Sequence, residues 1–304
     1  MSDKIVFFGN ERLATGVDTT APVLQALIAA GYDIRAVVSH FELSKSRKPR
    51  ELEIAAVAAQ HNIPVLLPQK MTDIMEELQS MEATAGVLVA FGKIIPQSLI
   101  DIFPRGIINI HPSALPKHRG PTPLESVMLS GEAETAVSLM SLGAKMDAGP
   151  IYAQQTVALT GAETKQQLAD KLLETGKTML TAYMPAILDG SMTPTDQNDA
   201  DATYDNLITK DDATIDWQQP AEVIERQIRA FAGWPKSRTQ IGGRDVVITA
   251  AHVASGEGTP GVIWLQDRHL GVHTSDGILV IDELVPAGKK PMSGSDFLLG
   301  YKPF

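Results

Sequence analysis

Two segments of this chain, TAGVLVAFG (Thr84–Gly92) and GIINIH (Gly106–His111), are almost unbroken apolar runs of strand length. A strand with one wet face alternates apolar and polar residues, so a strand without that alternation must be covered on both faces. This requirement selects parallel strands at the centre of a sheet layered between helices. The flanking sequence supplies the other elements. KIVFFG (Lys4–Gly9), DIRAVVS (Asp33–Ser39) and IPVLLP read as further strands. Thr20–Ala30, Glu51–Asn62 and TDIMEELQSM read as helices, the last opening on Thr72 as a cap. The alternation predicts an α/β fold with a doubly wound, mostly parallel sheet.

After Glu134 come two closely spaced strand patterns, AVSLMSL and IYAQQTVAL, and then a long helix from Glu163 to about Leu188. GSMTPTDQNDADATY (Gly190–Tyr204) is rich in Thr, Asp, Asn and Pro with little apolar content, which is a linker composition. Beyond it one helix, PAEVIERQIRAF (Pro220–Phe231), precedes short strands separated by Gly-rich turns: SRTQIGG, RDVVITAAHV, GVIWLQ, HLGVHT and GILVIDEL. That pattern predicts a small β-barrel or an open β-domain. A length of 304 residues fits two domains, here expected at 1–189 and 207–304 with a linker at 190–206.

The chain contains no cysteine, which excludes disulfides, thiolate metal sites and a cysteine nucleophile, and fits a cytoplasmic location. The N-terminal MSDKIVFFGN enters a strand pattern directly, without the apolar core and small-residue cleavage site of a signal peptide. No apolar run approaches the length of a membrane span, so no membrane partner is expected. A net charge of -10 argues against indiscriminate coating of nucleic acid but leaves room for an RNA held by a local basic patch.

Candidate chemistry gathers where the second apolar run ends. In INIHPSALPKHRGPTPL (Ile108–Leu124), Asn109 and His111 are two residues apart and share one strand face. Pro112 lacks an N–H and ends the ladder, which leaves both side chains at the carboxyl end of a central strand, where open α/β sheets bind ligands. An amide donor beside an imidazole suits oxyanion stabilisation with proton transfer. A strand-end histidine that merely satisfies loop backbone groups is the plainer alternative. In LGAKMDAGPIY (Leu142–Tyr152), Asp147 sits in a turn set by Gly149 and Pro150. It could hold a histidine in its reactive tautomer or accept a proton through water; an ordinary Asx-turn is the other reading.

Other polar features are weaker. FFGNERLATG lacks the G-x-G-x-x-G spacing of a dinucleotide site. His269 and His273 fall in a strand pattern, where i,i+4 spacing does not make a helical metal pair. His40, His61, His118 and His252 have no carboxylate or histidine at ligand spacing, so no metal is expected. The basic run KSRKPR (Lys45–Arg50) reads as a solvated loop able to contact phosphate, and Arg226 and Arg229 as a charged helix face.

Two of these motifs carry a resemblance. INIHPSALPKHRGPTPL resembles the Asn-x-His-x-Ser-Leu-Leu-Pro signature of 10-formyltetrahydrofolate-dependent formyltransferases, and MDAGPI resembles their catalytic Asp loop. IDWQQPAEVIERQIRAFAGWPKS and LVPAGKKPMSGSDFL resemble the C-terminal domain of the branch that acts on methionyl-tRNA. The resemblance spans nearly the whole chain. It implies a Rossmann-like catalytic domain followed by a smaller, OB-like β-barrel that helps hold tRNA. It implies catalytic roles for Asn109, His111 and Asp147, and a tetrahydrofolate-lining role for Ser113, Ala114, Leu115 and Pro116. The implied donor is 10-formyltetrahydrofolate, with no metal; the implied acceptor is initiator methionyl-tRNA, and the expected state is a monomer.

The sequence also departs from that family. GNERLATGVDTT replaces a shorter Gly-Thr-Pro-type turn, Ala114 stands where Leu is usual, and Lys93 replaces a typically apolar residue. SHFELSKSRKPREL lacks the family's Pro-Asp-Arg-Pro…Gly-Arg-Gly insertion, which contacts the tRNA acceptor end. A sugar-nucleotide N-formyltransferase is the nearest enzymatic alternative, and a catalytically silent folate- or tRNA-binding protein the alternative from another class.

Overall fold

The computed structural model describes residues 3–40 and 52–301, so the basic run Lys45–Arg50 lies outside the described residues. Two compact units divide the chain. The first comprises Met1–Leu124, Glu134–Leu159 and Gln166–Asn206; the second comprises Glu125–Ala133, Thr160–Lys165 and Leu207–Phe304.

In chain order the first elements are β1 (Lys4–Gly9), α1 (Pro22–Ala29), β2 (Asp33–Val38), α2 (Glu53–Gln60), β3 (Val65–Leu66), α3 (Met75–Ser80) and β4 (Ala85–Val89). They are followed by α4 (Gln97–Ile100), β5 (Ile107–His111), α5 (Pro123–Ser130), β6 (Glu134–Ser141), β7 (Ile151–Ala158) and α6 (Lys165–Asp189). The strands form one seven-stranded sheet in the order β3-β2-β1-β4-β5-β6-β7. The first five strands pair in parallel, and β6 and β7 add to one side antiparallel. Every residue of β4 and β5 is buried, as their unbroken apolar sequence requires. The chain builds outward from β1 in one direction to β3 and then returns to place β4 on the other side. Between β1 and β4 the order therefore reverses, which opens a crevice at the carboxyl ends of these strands.

Aromatic packing fixes the floor of that crevice. Phe8 on β1 meets Phe91 and Phe103 edge-on, each with ring centroids 5.9 Å apart. Such pairs contribute about 0.5–1.5 kcal/mol beyond burial itself, and they define where the chain leaves β4. The extended first loop has its own anchor. Glu11 is fully buried and accepts the backbone N–H groups of Val23 (2.9 Å) and Leu24 (2.8 Å) at the start of α1. Ala21, at the N-cap position, adopts φ 56° and offers no side-chain cap, so Glu11 satisfies the open helix end from a distance. Burial raises the Glu11 pKa to about 7, against the opposing pull of those two N–H groups.

The segment expected to be a linker is an ordered strap. Thr195 and Ile151 exchange two backbone hydrogen bonds of 2.8 Å, Asn198 caps a short 3-10 turn at Asp199–Asp201, and Tyr204 bridges to Arg119. Its composition is polar because it is held by hydrogen bonds instead of by apolar burial.

In the second unit, α7 (Ala221–Ala230) packs on a curved antiparallel sheet of β8 (Arg238–Ile241), β9 (Arg244–Ala254), β10 (Ile263–Gln266), β11 (His269–His273) and β12 (Ile278–Pro286). β13 (Met292–Ser293) pairs with β12, and α8 (Gly294–Tyr301) follows. The strand path β10-β11-β12-β9-β8 leaves β10 and β8 unpaired with each other among the described residues, so the barrel-like sheet is a half-barrel. Ile224 and Ile228 of α7 reach its core beside Ile248, Leu279 and Phe297. Arg226 and Arg229 do not form a free solvent face. Arg226 donates to the Leu129 carbonyl (3.2 Å) and Arg229 to that of Glu163 (2.9 Å). Lys165 and Glu125 form an almost fully buried ion pair at 3.4 Å. Desolvation raises the Glu125 pKa and lowers that of Lys165, each partly countered by the other charge. Among the described residues no helix is long and apolar enough to cross a membrane.

Candidate active site

A cavity of about 290 Å³ opens at the carboxyl ends of β4 and β5, in the crevice where the strand order reverses. Asn109, His111 and Asp147 all line it. Strand parity places the first two on one face of β5, and both are buried. The β6–β7 turn brings Asp147 over them, with the Asp147 backbone in the left-handed region at φ 48°. Its apolar wall includes Leu88, Phe91, Ile95 and Leu142, while the exposed cations Lys93 and Lys145 lie along its edge.

The imidazole is held by a partner that sequence spacing does not reveal. Nε2 of His111 lies 3.0 Å from the backbone oxygen of His118, so this nitrogen carries the proton and donates it to that carbonyl. In the neutral ring Nδ1 is then the open acceptor. It faces Oδ1 of Asp147 at 3.8 Å, beyond direct hydrogen-bond length and suited to a bridging water. The carboxylate accordingly does not set the tautomer; the His118 carbonyl does. Asp147 is itself held, since its Oδ2 accepts the Gly120 N–H at 2.9 Å. Gly120 has φ +126°, and a Cβ there would meet the Asp205 backbone oxygen at 2.4 Å, so only glycine presents this N–H in this position. Gly149 is equally constrained, because a Cβ would lie 1.9 Å from the Ser141 oxygen.

The segment Ser113–Pro116, expected to line a ligand site, is not among the residues around the cavity. It builds the loop beneath. Ser113 Oγ donates to the Lys117 carbonyl at 2.8 Å, and its own carbonyl accepts from Ser138 Oγ at 2.7 Å. The Leu115 carbonyl accepts from Gln154 at 2.9 Å. Ala114 and Pro116 are half-buried in the same turn. These bonds hold the segment in its turn.

The partners of His118, Arg119 and the strap lie far away in the chain. His118 Nδ1 pairs with Asp205 at 3.2 Å, and its N–H donates to Thr203 Oγ1 at 2.8 Å, partners 87 and 85 residues away. No local spacing announces such pairs. Arg119 is buried, and the rarity of buried arginine would lead one to place it on the surface. His252 likewise meets Asp282 at 2.9 Å, across two strands of the second unit. Among the described residues no three His, Cys, Asp or Glu side chains gather at metal-binding distance.

Comparison with known proteins decides the family. Residues 4–184 match the formyl transferase model, and residues 207–302 match that of the formyl transferase C-terminal domain. A methionyl-tRNA formyltransferase of Chloroflexus aurantiacus is 38% identical over 98% of this chain and 96% of its own length. The chain belongs to the methionyl-tRNA formyltransferase family. A second member of this family, from Roseiflexus castenholzii, is 35% identical over 99% of the chain and 97% of its own length. Among solved structures, an N-formyltransferase from Helicobacter canadensis shares the fold, with a TM-score of 0.68 at 18% identity over 92% of this chain and 98% of that one. The Rossmann-like first domain and the barrel-like tail expected from the sequence are thus those of a family to which the chain demonstrably belongs.

Proposed function

We infer that this chain transfers the formyl group of 10-formyltetrahydrofolate to the α-amine of initiator methionyl-tRNA, and so serves translation initiation. The observation that carries the reading is the convergence of Asn109, His111 and Asp147 on one cavity, in a chain that matches its family from end to end. The cavity suits the donor. Its volume lies near the lower end for small-ligand sites, enough for a flat ring system with the tail outside. Phe91, Ile95 and Leu142 give that ring an apolar wall, and Asn109 with His111 forms a polar end for the formyl group. Lys93 and Lys145 at the edge complement carboxylates or phosphates that remain in solvent.

The bound folate supplies a formyl group on a nitrogen able to leave. Asn109 donates its amide N–H to the formyl oxygen as negative charge develops there. His111 accepts the proton of the attacking amine at Nδ1, because Nε2 is committed to the His118 carbonyl. Asp147 steadies the resulting imidazolium across 3.8 Å and passes protons through an intervening water. The new bond joins the amine nitrogen to the formyl carbon, the bond from that carbon to N10 breaks, and His111 returns the proton to N10. Ser113, Ala114, Leu115 and Pro116 act through the loop they build.

We place the chain in the cytoplasm, which its lack of cysteine fits. We take it to act as a monomer, since one chain supplies all three site residues. The test is a set of parallel incubations with 10-formyltetrahydrofolate and methionyl-tRNA, an amino-sugar nucleotide, or water alone. Formyl-methionyl-tRNA as the sole product is the expected result. Product only with the sugar nucleotide, or binding without product in any arm, would replace this reading with one of its two alternatives.

A further inference from the structure

The turn that presents Asp147 is held from outside by one side-chain amide. Gln197 Nε2 donates to the Asp147 carbonyl at 2.8 Å and to the Gly149 carbonyl at 2.7 Å. Its Oε1 accepts from Arg119 Nε at 3.0 Å and from a second guanidinium nitrogen at 2.9 Å. Arg119 is buried and locked in turn, donating to the Tyr204 hydroxyl and to Asp199, both at 2.8 Å. Both ends of the amide are therefore consumed, and neither can rotate without losing two hydrogen bonds.

What this amide holds needs holding. Asp147 is a non-glycine residue at φ 48°, a conformation that costs on the order of 1–3 kcal/mol unless its surroundings impose it. The Gly120 N–H fixes Oδ2, and the two bonds from Gln197 fix the backbone on either side of Ala148. Oδ1 is left to face His111 Nδ1. We propose that Gln197 is a positioning residue for transfer: by gripping the carbonyls of Asp147 and Gly149 it sets the distance from the carboxylate to the imidazole. The proposal deepens the formyl-transfer reading and rests on it. The polar strap is on this account a brace behind the active site, outside the cavity itself.

Two substitutions separate this role from simple anchoring of Arg119. Gln197→Glu keeps an oxygen for the guanidinium but sets a second oxygen, without a proton, against the two carbonyls. Gln197→Met keeps the length and loses every hydrogen bond. For both variants we expect kcat to fall by about 10- to 100-fold, the scale of a misplaced catalytic group. KM for methionyl-tRNA and for the folate should stay within about twofold. The 15N shifts of the His111 ring, assigned by their loss in His111→Gln, should move in Gln197→Glu. Should Gln197→Met fail to fold, Gln197→Glu, of equal size, carries the test.

Near-normal kcat in Gln197→Glu, or a loss confined to KM or to melting temperature, would overturn the proposal. If unsubstituted protein makes no formyl-methionyl-tRNA, the functional reading fails separately. The ring shifts then decide the positioning role alone, with unmoved shifts counting against it.

Discussion

His111 Nδ1 and Asp147 Oδ1 stand 3.8 Å apart across the cavity, while the opposite ring nitrogen donates to the His118 carbonyl at 3.0 Å. On the proposed mechanism the two contacts divide the work: a backbone carbonyl fixes the tautomer, which leaves the carboxylate to move protons and to stabilise charge.

That division makes Asp147 a sensitive position. In Asp147→Asn the side chain still reaches Gly120 through its carbonyl oxygen, but it no longer balances an imidazolium. We expect kcat to drop about 100- to 10,000-fold, with folate affinity and melting temperature little changed. Steady-state kinetics with a folate-binding titration checks this, and a kcat near that of the unsubstituted chain would remove Asp147 from the mechanism.

On the proposed reading Asn109 has a narrower task. Its replacement by alanine, at a buried strand position, would remove one donor from the formyl oxygen. The expected loss is about 100- to 1000-fold in kcat with circular dichroism unchanged. An effect on KM alone would mean that Asn109 binds substrate without discriminating the transition state.

Much of this was legible in the sequence, for reasons that can be named. β4 and β5 announce themselves because strands buried on both faces admit no polar residue except where the strand ends, and there stand Asn109 and His111. Asp147 is visible through the Gly149–Pro150 turn behind it. Hydrogen-bonded structure was not legible. Gln197 and Asp147 are separated by 50 residues, and their bond involves a backbone carbonyl, which leaves no trace in residue type. The strap reads as a linker because hydrophobic pattern reports apolar burial and is silent about polar anchoring. Ser113–Pro116 was legible as a motif but not in its hydrogen bonding, since its turn is held by Ser138 and Gln154, from two other strands.

Glu11 gives the first domain a pH-dependent stability. Its folded pKa, about 7, lies above the ordinary value of 4.5, so the folded state holds this proton more tightly than the unfolded chain does. Stability from this group is complete below pH 4.5, declines as pH rises, and levels off once pH passes about 7. The decline is on the order of 3 kcal/mol at most. Denaturation curves between pH 5 and 8 should show it, and Glu11→Gln should flatten it. An unchanged slope in the variant would assign the dependence elsewhere.

The buried pair Lys165–Glu125 sets a stability test in the second unit. Lys165→Met strands the Glu125 carboxylate in a desolvated site, and we expect a loss of about 3–5 kcal/mol in urea unfolding. Adding Glu125→Leu should restore most of it, because the pair's attraction largely offsets its own desolvation. A single substitution no worse than the double would show that solvent reaches the site.

The most direct measurement is the single-turnover rate of formyl transfer to methionyl-tRNA by a folded His111→Ala protein beside the unsubstituted chain. Removing the only imidazole that lines the cavity among the described residues should slow the chemical step by more than about 100-fold while both substrates still bind. A rate within a few-fold of the unsubstituted chain would contradict the assignment of this cavity as the place where the formyl group changes hands.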